Sequence, residues 1–281
     1  MGFMIVSIIH SATEVLLPVL YVLTVALYGL SFFREEPLAN AWKTRFLFAT
    51  FATHFVLIGL HTVEHGHCMV TTAFEMMSLI AFTVLTVYAI IELRTKIRET
   101  GFFLIGFAGL FQMTSAVMMK VSGGGTMNPI LANPGIGAHV SAAIFGFGGI
   151  AISAVYGLLY LLLYRELKRG SYGSFYRHLP SLESLETLSV AASSIGFIFL
   201  TISIGLGAFW LPRVYGHFSY LDPKLLATAL IWCTYAVVLV SKFVIHLDGR
   251  RVISLSLGGF VLALFSLTIV NAFFSAFHRF Y

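Results

Sequence analysis

The stretch Thr187–Leu211, TLSVAASSIGFIFLTISIGLGAFWL, runs for 25 residues without a single Asp, Glu, Lys or Arg. As a helix it would be about 37 Å long at 1.5 Å per residue, more than the roughly 30 Å of a bilayer's hydrocarbon core. In lipid every backbone N–H and C=O must find its partner inside the segment, so a run of this kind reads as a membrane-crossing helix. Comparable apolar runs lie at 11–33, 43–63, 70–92, 101–119, 137–164, 224–246 and 251–275. The expected fold is therefore all-α: a polytopic bundle of about eight transmembrane helices forming one integral membrane domain over 1–281. No succession of alternating ten-residue segments suggests a β-barrel.

Composition agrees. Of the 281 residues, 58% are hydrophobic and 10% charged, against about a quarter charged in soluble domains. The formal charge of +5 would suit a nucleic-acid ligand if the basic residues formed a patch. Instead they fall in short loops, where they set orientation. Arg34, Lys43, Arg45, Arg94, Lys96, Arg98, Arg165, Lys168, Arg169, Arg177, Lys242, Arg250 and Arg251 lie on one side. Lys120, Arg213, Lys224 and Arg279 lie on the other. Thirteen against four makes the first side cytoplasmic and puts both termini outside. The expected setting is multi-pass in a cytoplasmic (inner) membrane, with lipid as the main partner and no nucleic acid. No basic segment precedes the first run, so no cleaved signal peptide is expected. Cys68 and Cys233 form neither a CxxC nor a haem-attachment motif.

Ten histidines are the chemistry most worth locating. His54 falls about 16 Å into the second run at helical rise. An ionisable residue at that depth is either a site or an imidazole bonded to a neighbouring helix. His54, His61 and His65 share one helix face by their spacing. The turn His65-Gly66-His67-Cys68 carries metal-ligand residue types, although no second cluster accompanies it in the sequence. His139, in GAHVSAAIFGFGG (137–149), and His278, in FFSAFHRF (273–280), stand at the outer ends of two different runs. Two such imidazoles suit axial ligation of one haem iron. The aromatic loop 210–224, WLPRVYGHFSYLDPK, reads either as a floor for a flat ligand or as an interfacial aromatic belt. Gly146, Gly148, Gly149, Gly205 and Gly207 are read first as close-packing positions. Glu75 is expected to make structural bonds, Glu14 to sit at the interface, and Ser181 to cap a short surface helix at the end of a 165–186 loop.

The ordered features LGAFW (206–210), YG (215–216), LDPKLLATALIWCTYAVVLVSKF (221–243) and the stretch from Gly249 to His278 resemble the cytochrome c assembly protein family. That family includes CcsA, CcmC and HemX-type haem-handling proteins. His139-Val140 before a Gly-rich helix and LPSLESLE (179–186) fit as well. The resemblance covers about 45–281. It implies a haem b held between His139 and His278, with Tyr215, Gly216, Phe218, Tyr220 and Asp222 against the macrocycle. It also implies a partner membrane protein of cytochrome c maturation or a redox complex. His54 is kept as a candidate for a second, internal site. In the synthase branch the loop reads WGxxWxWDP; here Tyr215–Pro223 keeps Gly, Asp and Pro but no tryptophan, and Val240 stands where that branch has an intramembrane histidine. The chain therefore looks closer to the HemX-like branch, in which haem is held or sensed rather than attached to a client. A HemX-type regulator of haem biosynthesis and a haem- or quinone-binding subunit of a larger complex are the alternatives. No nucleophile, acid–base pair or phosphate loop predicts catalysis by this chain alone.

Overall fold

The computed structural model describes residues 2–121, 127–170, 179–214, 221–247 and 249–266, with side chains from residue 8 onward. The described residues form eight α-helices: α1 Gly2–Arg34, α2 Pro37–His65, α3 Ala73–Thr95, α4 Gly101–Val121, α5 Pro134–Arg169, α6 Leu182–Val214, α7 Pro223–Phe243 and α8 Gly249–Phe265. A 3-10 turn at Pro129–Ala132 precedes α5, and no strand occurs among the described residues. The first seven helices are long and apolar enough to cross a membrane. The expected eighth span, 251–275, is described only as far as residue 266.

Several boundaries differ from the expectation for local reasons. The first helix starts well before residue 11, and the Thr13 hydroxyl donates back to the Ile9 and His10 carbonyls within it. The third starts at Ala73, not 70, where Thr72 caps it by accepting from the Glu75 N–H at 3.2 Å. Ser181 does act as a cap, accepting from the Ser184 N–H at 3.2 Å. The helix it opens, however, is the 33-residue α6, not a separate surface helix. The amphipathic end of the expected 165–186 loop is thus the first turn of a spanning helix.

The chain forms two compact units, Met1–Ile144 and Phe145–Tyr281. In the first, α1 packs on α2 and α4, and α3 packs on α2 and α4. Helix α3 is central: 67% of its apolar stretch is buried, against 28% for α1 and for α2. Two polar layers cross this unit. In one, the Tyr21 hydroxyl of α1 meets His54 Nδ1 of α2 at 3.0 Å, and His54 Nε2 meets Ser78 Oγ of α3 at 3.1 Å. Ser78 then donates to Gln112 Oε1 of α4 at 2.8 Å. In the other, Tyr28 of α1 and Thr44 of α2 donate to the buried Glu92 carboxylate of α3 at 2.5 and 2.7 Å, with Arg98 Nε 3.4 Å away.

The second unit is closed by small residues. A Cβ on Gly149 would lie 2.7 Å from Gly196 Cα, and one on Gly196 would lie 2.8 Å from the Gly146 carbonyl. Helices α5 and α6 therefore cross with their backbones nearly touching, as small-residue packing in membranes permits. Gly146 and Gly149 are packing positions as expected, while a Cβ on Gly205 would meet nothing within 4 Å. Beside the crossing, Ser153 Oγ sits 2.9 Å from Ser189 Oγ and 3.0 Å from Ser256 Oγ. Tyr235 donates to the Ser256 carbonyl at 3.0 Å.

Candidate functional site

His139 lies in the second turn of α5 and is half-buried. The turn is held by Asn133, whose Oδ1 accepts from the Gly135 and Ile136 N–H groups at 3.0 and 3.3 Å, with Pro134 pre-set for the first helical position. The neighbouring structure is the α2–α3 loop. A Cβ on Gly137 would meet Cys68 Cβ at 3.2 Å, and the Asn128 N–H donates to the Thr71 carbonyl at 3.0 Å. Only a glycine lets α5 come this close to the loop. A half-buried imidazole at a helix head suits an axial iron ligand. The other expected members of the haem site, His278, Tyr215, Gly216, Phe218 and Tyr220, lie outside the described residues.

Asp222 is buried and caps α7, its Oδ1 accepting from the Lys224 N–H at 2.8 Å ahead of Pro223. Lys224 is buried too and donates to the Ser266 carbonyl and hydroxyl at 3.1 and 3.3 Å. The loop's last residues thereby fix the start of one helix to the end of another.

His54 is fully buried, with both ring nitrogens engaged. Because Ser78 gives its proton to Gln112, it accepts from His54 Nε2–H, and Nδ1 then accepts from Tyr21. One neutral tautomer satisfies the whole chain of bonds, an assignment made from the network. The geometry is that of a polar contact joining four helices.

The remaining histidines of α2 do not stay apart. At the end of that helix His61 is buried and its ring stacks on His65 at 4.3 Å between centroids. His67 of the loop stands 5.5 Å from His61, and His10 of α1 5.8 Å. His10 Nδ1 lies 2.9 Å from Glu64 Oε2. Glu75 makes the structural bonds expected of it, accepting from the Thr71 N–H at 2.8 Å and from its hydroxyl at 3.0 Å. It also reaches within 3.8 Å of His61 Nε2. Glu14, half-buried, is 3.9 Å from His10. Burial pushes the Cys68 thiol up from its ordinary value, favouring the protonated, less nucleophilic form.

Sequence reasoning missed Glu92, although a carboxylate inside Ile90-Ile91-Glu92-Leu93 demands partners. The positions of the basic residues put His10 on the same outer side as His61, His65 and His67, but only the packing of α1 on α2 brings it to His61.

The sequence model described as cytochrome C assembly protein matches residues 70–278. Protein HemX of Brevibacillus brevis is 25% identical over 224 residues, covering 80% of this chain and 82% of its own. The cytochrome c biogenesis protein CcsA of Trieres chinensis is 26% identical over 276 residues, covering 86% and 88%. The inner membrane protein YpjD of Escherichia coli (strain K12) is 24% identical over 201 residues, covering 70% and 74%.

Proposed function

The chain belongs to the cytochrome c assembly protein family, and from that premise we propose that it holds a b-type haem near the outer face of the cytoplasmic membrane, with His139 and His278 as axial ligands. The matched region, 70–278, contains both histidines, one about a third of the way along it and one at its end. The observation that carries the reading is their shared side. The count of basic residues assigns the start of the fifth span and the end of the eighth to the outside without reference to any family. When bound, the haem supplies an iron whose potential follows its axial ligands and the polarity around it.

The chain's own contribution is to hold and orient. Asn133 and Pro134 fix the turn that carries His139, and Asp222 and Lys224 fix the end of the loop from which Tyr215, Gly216, Phe218 and Tyr220 would cover the ring. His54 serves the bundle rather than the haem, its two nitrogens being occupied. The working partner is another membrane protein of cytochrome c maturation. A second reading, a HemX-type regulator of haem biosynthesis, is favoured by the absence of tryptophan from Tyr215–Pro223.

The test is an absorption spectrum of detergent-purified protein, oxidised and reduced, produced with ample haem. A reduced b-type spectrum weakened in both His139→Ala and His278→Ala is expected. No haem absorbance in the wild type would sink the ligand assignment. Deletion of the gene then separates the two readings: loss of c-type cytochromes favours maturation, and altered glutamyl-tRNA reductase levels favour regulation.

A further inference from the structure

We propose that His61, His67 and Glu75 form a binding site for a divalent transition-metal ion of the zinc type, separate from the haem ligands and independent of the haem reading. One ligand atom from each of the three lies within 4.8 Å of the others. An ion held at about 2.1 Å by tetrahedral ligands sets them about 3.4 Å apart, so capture needs only a small inward rotation of the side chains. The chemistry of the set selects the ion. Two imidazoles and one carboxylate suit zinc and its transition-metal neighbours, whereas magnesium and calcium prefer oxygen throughout.

Two further observations point to a ligand. His61 is 3% exposed, and its Nε2 is buried with no hydrogen-bond partner, although it faces Glu75 Oε1 at 3.8 Å. A buried polar atom left without a partner is costly, and an ion between the two groups would supply one. Two of the three ligands, His67 and Glu75, are also braced from behind, as metal ligands commonly are. His67 Nδ1 is 3.1 Å from the Cys68 carbonyl, which leaves Nε2 for the ion. Glu75 Oε2 accepts from the Thr71 N–H and hydroxyl, while Oε1, which the same hydroxyl reaches at 3.2 Å, faces His61. His65 stacks on His61, and its Nδ1 lies 3.2 Å from the His61 carbonyl; water takes the fourth position, as in zinc sites with three protein ligands.

The probe is zinc alone, added to full-length protein purified in detergent through a histidine-free tag and stripped with chelator. After dialysis the wild type should retain one zinc per chain, with cobalt giving the intense visible bands of a four-coordinate site. His67→Ala, a loop substitution that leaves every helix bond in place, should weaken retention at least tenfold, and Glu75→Gln should do the same. His246→Ala, an exposed histidine bonded to the Lys242 carbonyl, should retain zinc as the wild type does. His139→Ala should too, which separates this site from the haem ligands. Equal zinc in wild type and His67→Ala overturns the proposal, as does failure of the wild type to retain zinc. If Glu75→Gln loses helix content, His67→Ala decides alone.

Discussion

The two units of this protein solve the same problem, holding helices together where lipid offers no hydrophobic drive, in different ways. In Met1–Ile144 long polar side chains reach between helices. Tyr21, His54, Ser78 and Gln112 form one chain of bonds through α1 to α4, and Tyr28, Thr44 and Glu92 form another. In Phe145–Tyr281 α5 and α6 come together at glycines, with short hydroxyls beside them, and long side chains such as Tyr235 and Lys224 bond mainly to backbone carbonyls of the next helix. A polar layer fixes which atoms meet, so it orders side chains at defined places and leaves room between helices. Close backbone contact gains dispersion over many atoms and leaves none. The metal-ligand side chains accordingly gather in the first unit, at the end of a helix already held by bonds to its neighbours.

Substitutions should break this contrast in a definite order. His54→Ala removes the hub of the four-helix chain, opens a cavity, takes away the bond of the Tyr21 hydroxyl and leaves Ser78 with Gln112 alone. The expected loss is about 3 kcal/mol, read as a lowered thermal midpoint in detergent; a change indistinguishable from wild type would mean the chain of bonds is not holding the unit. Gly196→Ala adds a Cβ 2.8 Å from the Gly146 carbonyl and 2.9 Å from the Ile150 nitrogen. Both are backbone atoms that cannot swing aside, so the helices must separate at a cost of about 2 kcal/mol. Gly205→Ala, where a Cβ meets nothing within 4 Å, should leave the midpoint unmoved, and equal effects at the two glycines would refute close packing. Ser153→Ala is the mildest of the destabilising changes. It removes two hydroxyl contacts but leaves the bond from Ser189 to the Ser153 carbonyl, so about 0.6 kcal/mol is expected. A loss as large as that of His54→Ala would erase the distinction between the units.

How far the sequence carried the reading varies by residue. Thr187–Leu211 could be nothing but a spanning helix, because length and apolarity are properties of the run itself. Ser181 was legible as a cap but not as the cap of α6, since its side-chain bond looks the same at the start of a short helix or a long one. His54 was legible as a buried imidazole that needs partners. Which partners it finds depends on the rotation of three other helices.

The sequence by itself determined that this is a multi-pass helical membrane protein of the cytochrome c assembly family, and it marked His139 and His278 as the residues to test for haem. Those conclusions rest on local hydropathy and on ordered motifs, both of which survive in one dimension. Tertiary structure alone decided that His61, His67 and Glu75 lie together, with His10 and Glu64 beside them. The turn His65-Gly66-His67-Cys68 lacked a second cluster only because its companions are supplied by the start of α3 and by α1. A ligand set is a statement about distances between side chains on different elements, and spacing along the chain fixes such distances only within one helix.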